Sequence, residues 1–224
     1  MSLRRLFLQQ AQAVSNDFII EVDVVGSTFT IPTNSIYNYL YDVTTSDGQT
    51  ILGNTGNLTI TFTSIGVYYI NISGIFPQIY FNNGGDKTNL LDIKQWGDIA
   101  WSDFSRSFFG CTGLTVVTAT DAPDLSGVTG MVATFRNSTN LSRIDFSLWD
   151  ISSITSFGNF MLNIQALDTD IYDATLISWA AQTPQMNQSP NFGGSKYTLG
   201  GAAEAARTTL ATTYNWNISD GGGV

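Results

Sequence analysis

The apolar residues near the start of the chain alternate with polar ones, and this alternation predicts β-strands. In residues 18–24 every second position is apolar, as expected of a strand buried on one face: Phe18, Ile20, Val22 and Val24. Four further segments are rich in β-branched or aromatic residues and are separated by turn-forming residues: 27–31, 36–43, 57–62 and 67–72. These five short segments predict a small sandwich of immunoglobulin type over residues 17–76.

A second pattern is a repeat of apolar positions between Leu114 and Leu167, with a spacing of 26 residues. The pairs that show it are Leu125 and Ile151, Val128 and Ile154, Met131 and Phe157, Phe135 and Met161, and Leu141 and Leu167. An earlier copy begins at Trp101 and is offset by 27 residues. Repeats of about 20 to 30 residues are typical of leucine-rich-repeat solenoids, in which each unit buries its apolar face against its neighbours. We therefore predict such a solenoid over residues 77–171.

Each predicted repeat consists of a short strand and a helical return. The strands are predicted at residues 90–93, 114–117, 141–144 and 167–171. The returns, where apolar residues recur four apart, are predicted at residues 104–108, 131–135 and 157–161. Because side chains alternate along a strand, five residues are predicted to face outward and are candidates for ligand binding: Val116, Thr118, Arg143, Asp145 and Asp170.

The last part of the chain predicts a helical cap. Residues 173–182 have Asp173 as a candidate N-cap, and residues 202–214 are rich in good helix formers. Residues 172–224 are therefore predicted to be the atypical unit that ends a repeat array. The predicted fold class is mixed α/β but mostly β, with a small sandwich, a short leucine-rich-repeat solenoid and a helical C-terminal cap.

Composition excludes several functions. The net charge of −9 disfavours nucleic-acid binding, because phosphates require a cationic surface. Histidine is absent, which excludes Ser-His-Asp and Cys-His catalysis and His-ligated zinc. The single cysteine, Cys111, cannot form an intrachain disulfide and is predicted to be a buried apolar residue. No window approaches the roughly 18 apolar residues of a membrane span.

Residues 1–16 predict a leader that precedes the sandwich. A basic and apolar group within it is a candidate assembly anchor: Arg4, Arg5, Leu6, Phe7 and Leu8. Two alternatives stay open, a flexible leader and a secretion signal cleaved after Ala13. The signal is disfavoured because glutamines interrupt the apolar run, which is shorter than the roughly 7 to 15 residues that such signals need.

Two segments resemble the BspA-like leucine-rich repeats of bacterial surface proteins. They are residues 149–157, Trp-Asp-Ile-Ser-Ser-Ile-Thr-Ser-Phe, and residues 108–114, Phe-Phe-Gly-Cys-Thr-Gly-Leu. Residues 66–77 are similar to the last strand of the polycystic-kidney-disease-like (PKD-like) module that precedes such repeats, and residues 197–207 and 214–222 resemble their usual cap. The resemblance implies an immunoglobulin-like or PKD-like sandwich. It also implies a non-catalytic adhesion or recognition module, found on bacterial surfaces and in structural proteins of tailed phages.

From these observations we expect a non-enzymatic structural protein on the surface of a tailed-phage virion, such as a head decoration, fibre or tail component. The alternative is a bacterial cell-surface adhesin or exported protein that binds host or matrix ligands. The expected partners are other virion proteins, a cell-surface protein or a glycan, and self-association into a homo-oligomer stays open. Neither a cofactor nor membrane insertion is expected.

Acidic residues leave two other chemistries open. Asp121 and Asp124 could act as the paired carboxylates of a glycoside hydrolase. Three further residues could bind calcium through oxygen ligands: Asp168, Asp170 and Asp173. Aspartate is also favoured in turns and at helix caps, so we assign no catalytic or metal-binding residue.

Overall fold

A computed structural model describes residues 16–224, in which seven strands form two antiparallel sheets. The strands are β1 (Phe18–Val24), β2 (Thr28–Ile31), β3 (Leu40–Thr45), β4 (Thr50–Asn54), β5 (Leu58–Thr61), β6 (Gly66–Ile75) and β7 (Leu90–Gln95). Five of them form one sheet in the order β4-β3-β6-β1-β7, and β2 pairs with β5 in the other. All named pairs are antiparallel.

The alternation in β1 produces the inner face of the larger sheet. Every second residue of β1, from Phe18 to Val24, is buried. These side chains share one hydrophobic core with Phe29 and Ile31 of β2. Complete burial of one such side chain stabilises the fold by about 1.5 to 3 kcal/mol. The first predicted strand is therefore confirmed with the same bounds.

Two strands, β3 and β4, differ most from the prediction. β3 begins at Leu40 rather than at residue 36, because residues 32–39 form a loop. The alternation pattern does not predict β4, because each of its residues is half-buried or exposed. A strand without a buried face leaves no hydrophobic period in the sequence.

The predicted mixed α/β fold with a leucine-rich-repeat solenoid is wrong. The described residues are mostly β, with antiparallel sheets and two helices. The first predicted repeat strand, residues 90–93, lies in β7 and pairs antiparallel with β1. Residues 114–117 and 141–144 are joined by one isolated bridge instead of a strand ladder. The mostly-β sandwich of the prediction is only partly compatible with the two sheets.

The predicted helical returns are turns, and the reason lies in the backbone conformation. Arg106, Ala133 and Asn159 have φ values of 60°, 57° and 58°. A residue in this left-handed region interrupts a right-handed helix. The turns still keep the spacing of the sequence repeat and are hydrogen bonded to each other, as where the Phe135 amide donates to the Phe160 carbonyl at 2.9 Å.

The two helices lie in the C-terminal part of the chain. Helix α1 (Thr169–Ala181) has Asp168 at its N-cap, so it begins before the predicted start at Asp173. Helix α2 (Ala202–Thr213) agrees with its prediction to within one residue. No helix among residues 16–224 is long and apolar enough to cross a membrane.

Asp220, in the C-terminal tail, is hydrogen bonded to both helices. Its carboxylate accepts a hydrogen bond from the Tyr172 hydroxyl at 2.7 Å and one from Arg207 Nε at 2.8 Å. Tyr172 is buried, and burial raises the pKa of its phenol well above the ordinary value, with a further contribution from Asp220. The tail is therefore part of the folded body.

A chain of aromatic contacts makes the core continuous from the sheet to α1. The ring of Phe18 stacks on Trp96 at 5.9 Å, and Trp96 meets Trp149 edge to face at 5.2 Å. Trp149 contacts Phe146 at 4.8 Å, and Phe146 contacts Trp179 at 5.9 Å. Such pairs add about 0.5 to 1.5 kcal/mol each beyond the area that they bury. The sheets and the turns therefore stabilise each other.

Candidate functional site

The structure brings three of the five predicted binding residues together on one surface. Val116 and Arg143 are partners in a parallel bridge, so their side chains are neighbours. The Arg143 guanidinium forms ion pairs with Asp168 at 2.8 Å and with Asp170 at 3.2 Å. We call these four residues the Arg143 row.

The charges of the Arg143 row are accessible to solvent. The side chains of Arg143, Asp168 and Asp170 are 47%, 49% and 67% exposed. The hydrogen bonds that the Arg143 guanidinium donates to Asp168 and then to Asp170 raise its pKa above the usual value. The row therefore presents a permanent positive charge flanked by two carboxylates.

The other two predicted residues have structural contacts of their own. Thr118 donates from its backbone amide at 2.8 Å and from its hydroxyl at 2.6 Å to the buried carboxylate of Asp92. Asp92 also accepts from Lys94 Nζ at 2.9 Å. Asp145 is exposed and accepts a hydrogen bond from the Ser147 amide at 2.8 Å, which closes a turn.

The three aspartates that could bind calcium point to protein donors instead. Asp168 and Asp170 accept from Arg143, and Asp173 accepts from the Thr198 amide at 2.9 Å. Within residues 16–224, no group of three or more acidic or cysteine side chains is arranged to hold a metal ion. Calcium needs six to eight oxygen ligands around one point, which this arrangement does not provide.

The carboxylates of Asp121 and Asp124 also accept hydrogen bonds from backbone amides. The Asp121 carboxylate accepts hydrogen bonds from the amides of Trp96 and Gly97, the latter at 2.8 Å. Asp124 accepts from the Ser126 amide at 3.0 Å, and hydrogen bonding by Ser126 lowers the Asp124 pKa. An aspartate with a lowered pKa is ionised at neutral pH and is a poor general acid.

A second surface feature, not predicted from the sequence, is a groove beside the loop of residues 32–39. It has a volume of about 600 Å³. Its lining contains tyrosine, asparagine, serine, threonine and glycine only: Thr33, Asn34, Ser35, Tyr37, Asn38, Tyr39, Thr55, Gly56, Asn57 and Tyr80. We call it the Tyr37 groove.

The signal for this groove in the sequence is weak. Residues 33–39 read Thr-Asn-Ser-Ile-Tyr-Asn-Tyr, which is rich in side chains that form hydrogen bonds. The prediction of a strand from residue 36 assigns most of this segment to a sheet, so it does not indicate a binding loop there. Only folding brings Asn57 and Tyr80 to the same groove.

The candidate assembly anchor, Arg4, Arg5, Leu6, Phe7 and Leu8, lies outside the described residues. The described chain starts at Asn16, whose carbonyl accepts from the Asp98 amide at 2.8 Å. Its side-chain amide donates to the Asp98 carboxylate at 2.6 Å. Asn16 is therefore part of the folded body, one residue earlier than the predicted start of the sandwich.

Comparisons with known proteins give no relative: no family model matches this chain, and neither a curated protein nor a solved structure is significantly similar to it.

Proposed function

We propose that this chain is a non-enzymatic recognition protein and a structural component of a tailed-phage virion, located at the virion surface. In this proposal the Arg143 row contacts a receptor or a neighbouring virion protein, and residues 4–8 attach the chain to the particle. The resemblance of residues 108–114 and 149–157 to BspA-like surface proteins favours a role in adhesion or recognition. The alternative is a bacterial cell-surface adhesin or exported protein.

The observation that carries the proposal is the exposed charge of the Arg143 row. Exposed ion pairs typically contribute about 0 to 1 kcal/mol to stability, so the fold gains little from this arrangement. A guanidinium whose position is set by two carboxylates is, however, well suited to a polar partner, because arginine offers five donors in a fixed geometry. The row therefore supports binding better than it supports folding.

A non-enzymatic role is favoured by what the acidic residues do. Asp121 and Asp124 hold backbone amides, and Asp168 and Asp170 pair with Arg143. General acid and base catalysis needs groups whose pKa lies near the working pH and whose protons are free to move. With histidine absent from the sequence, carboxylates are the main remaining candidates for this chemistry.

The test of recognition replaces Arg143 and Asp145 with alanine together. Both side chains are exposed, so we expect the melting temperature to stay within a few degrees and attachment to the host or partner to weaken about tenfold or more. Attachment is measured by binding of purified protein or particles to host cells. The matched control is Lys196→Ala with Asp23→Ala, which likewise removes one positive and one negative charge. Unchanged attachment in the Arg143 variant would exclude the row as the binding surface.

The test of assembly deletes residues 1–15. The deletion keeps Asn16, which is hydrogen bonded to Asp98, so we expect an unchanged melting temperature and loss of the protein from purified particles. Burial of apolar side chains such as Leu6 and Phe7 could contribute several kcal/mol to attachment, at roughly 1.5 to 3 kcal/mol each before ordering costs. A mature N-terminus at Val14, found by mass spectrometry, would instead support secretion and the adhesin alternative.

A further inference from the structure

The Tyr37 groove differs from the rest of the surface in its chemistry. All ten residues that line it are uncharged, although the whole chain has a net charge of −9. Hydroxyl and amide groups provide both donors and acceptors. An ionic ligand gains little in such a site, whereas a polar, neutral ligand can satisfy its hydrogen bonds without leaving a charge unpaired.

Two tyrosines add aromatic surface to this polar lining. Tyr37 and Tyr80 are half-buried and both line the groove. A half-buried ring combines an apolar face with a polar hydroxyl group. The ring of a sugar has the same division, because its C–H groups form an apolar face and its hydroxyls point outward. Aromatic side chains with a few placed polar groups are the usual lining of small-molecule sites.

The loop that forms the groove is held by one buried and two partly buried hydrogen bonds. The Tyr39 hydroxyl accepts a hydrogen bond from the backbone amide of Asn34 at 2.9 Å. It donates one to the backbone carbonyl of the buried Gln78 at 2.8 Å. The Asn34 side chain donates to Gln78 Oε1 at 2.9 Å. A loop fixed in this way loses little conformational entropy when a ligand binds.

The opposite side of the groove is joined to this loop. Thr33 donates from its amide at 2.7 Å and from its hydroxyl at 2.9 Å to Asn57 Oδ1. These bonds use the oxygen of Asn57, and its amide nitrogen does not take part in them. The groove is therefore shaped before any ligand arrives.

From this lining and its rigidity we infer that the Tyr37 groove binds a neutral oligosaccharide of a few sugar units. The inference goes beyond the proposed function, because it adds a second binding surface whose lining contains no residue of the Arg143 row, and it names the class of ligand for that surface. A volume of about 600 Å³ lies within the range of roughly 300 to 1,000 Å³ that is common for ligand sites. Asp103, which lies against the Tyr37 hydroxyl, disfavours an anionic sugar at the same place.

The test uses the full-length protein and isothermal titration calorimetry. Tetrasaccharides of glucose, of galactose and of N-acetylglucosamine are the neutral probes, and a hyaluronan tetrasaccharide is the charged counterpart. We expect at least one neutral probe to bind with a Kd below about 1 mM, and hyaluronan to bind at least about tenfold more weakly.

Three variants locate the binding. Tyr37→Ala removes an aromatic face of the groove and is expected to weaken binding about tenfold or more. Asn38→Ala replaces an exposed lining residue, so the fold is retained, and is expected to weaken binding about threefold. Tyr69→Ala is the matched control, because Tyr69 is an exposed tyrosine of β6 outside the groove, and is expected to change Kd by less than about twofold.

Three results would overturn the inference: failure of all three neutral probes to bind at millimolar concentration, equal binding of hyaluronan, or unchanged affinity in both groove variants. Binding of an uncharged peptide without any saccharide would also overturn it. Different results would contradict the proposed function and this inference. A protein that binds a neutral saccharide but is missing from particles contradicts the virion proposal alone, and a protein that is present in particles but binds no saccharide contradicts this inference alone.

Discussion

The buried tryptophans differ in whether the indole N–H group has a hydrogen-bond partner. The indole N–H of Trp179 donates to the Phe146 carbonyl at 3.1 Å, and that of Trp216 donates to the Gln185 carbonyl at 2.8 Å. Among residues 16–224, the buried indole N–H groups of Trp101 and Trp149 have no hydrogen-bond partner. A buried donor without a partner costs about 1 to 3 kcal/mol. Packing of the large rings outweighs this cost.

Trp149→Ala should therefore cost roughly 3 to 5 kcal/mol in the free energy of unfolding, as expected of a large core aromatic. Trp149 is fully buried, with an exposure of 0%. Trp149→Phe is the matched variant and should cost less, because it keeps an aromatic ring and removes the unpaired N–H. Urea unfolding measures both values. A loss below about 1 kcal/mol for the alanine variant would contradict the packing described for this residue.

At the scale of elements, the backbone of a turn can pack directly against the backbone of a strand only where the turn residue is small. Gly113 lies against the backbone at the start of β7. A Cβ atom there would overlap the Thr88 carbonyl oxygen and lie 2.7 Å from that of Leu90. Neither atom is the end of a flexible side chain. The turn can approach β7 this closely only because residue 113 has no side chain.

Gly113→Ala should therefore lower the free energy of unfolding by about 3 kcal/mol, near the upper end of the usual cost of overpacking. Gly26→Ala is the control, because a Cβ atom at Gly26 has no neighbour within 4 Å. We expect the control to be neutral or to stabilise by up to about 1 kcal/mol, through the unfolded chain. Thermal unfolding of both variants checks this. Equal stability of the two would mean that the turn moves away from β7 at no cost.

At the scale of the whole molecule, the predicted units are parts of one hydrophobic core. The sheet that starts within residues 17–76 is completed by β7, and aromatic contacts continue from Phe18 to Trp179. Several tyrosines are buried within the same fold. Burial is the main cause that raises the pKa of Tyr39 to about 12, and burial also raises the pKa of Tyr41 and Tyr172.

These tyrosines predict a loss of stability at alkaline pH. The folded protein keeps phenol protons that the unfolded chain releases near about pH 10, so the contribution is complete below that pH and falls as pH rises through about 12. Each affected tyrosine lowers the free energy of unfolding by up to about 1.4 kcal/mol per pH unit. Urea midpoints between about pH 9 and pH 11.5 measure the slope.

Two tyrosine-to-phenylalanine variants test the cause of this decline in the free energy of unfolding with pH. Tyr41→Phe removes one buried phenol and should make the decline shallower, whereas Tyr69→Phe removes an exposed one and should leave it unchanged. The Tyr41 hydroxyl donates to the Gly56 carbonyl at 2.7 Å, so Tyr41→Phe also lowers stability at neutral pH by about 1 kcal/mol. A flat profile above about pH 10 would show that these phenols ionise equally in both states.

The sequence alone determined the features that depend on local periodicity and side-chain type. The alternation in β1 predicts its bounds, because a half-buried strand must bury every second residue. The spacing of 26 to 27 residues is retained in the hydrogen-bonded turns, because it records which apolar residues share the core. Cys111 is buried, as predicted for a small apolar residue.

The tertiary structure decided everything that depends on partners distant in the chain. Apolar spacing shows which residues are buried but not the direction of the neighbouring strand, so β7 could be assigned to the antiparallel sheet only from its pairing with β1. Long-range contacts likewise direct Thr118 to Asp92 and join Arg143 to Asp168 and Asp170. The Tyr37 groove arises in the same way, because its lining comes from three separate segments and a pattern along one segment cannot show a surface that several segments share.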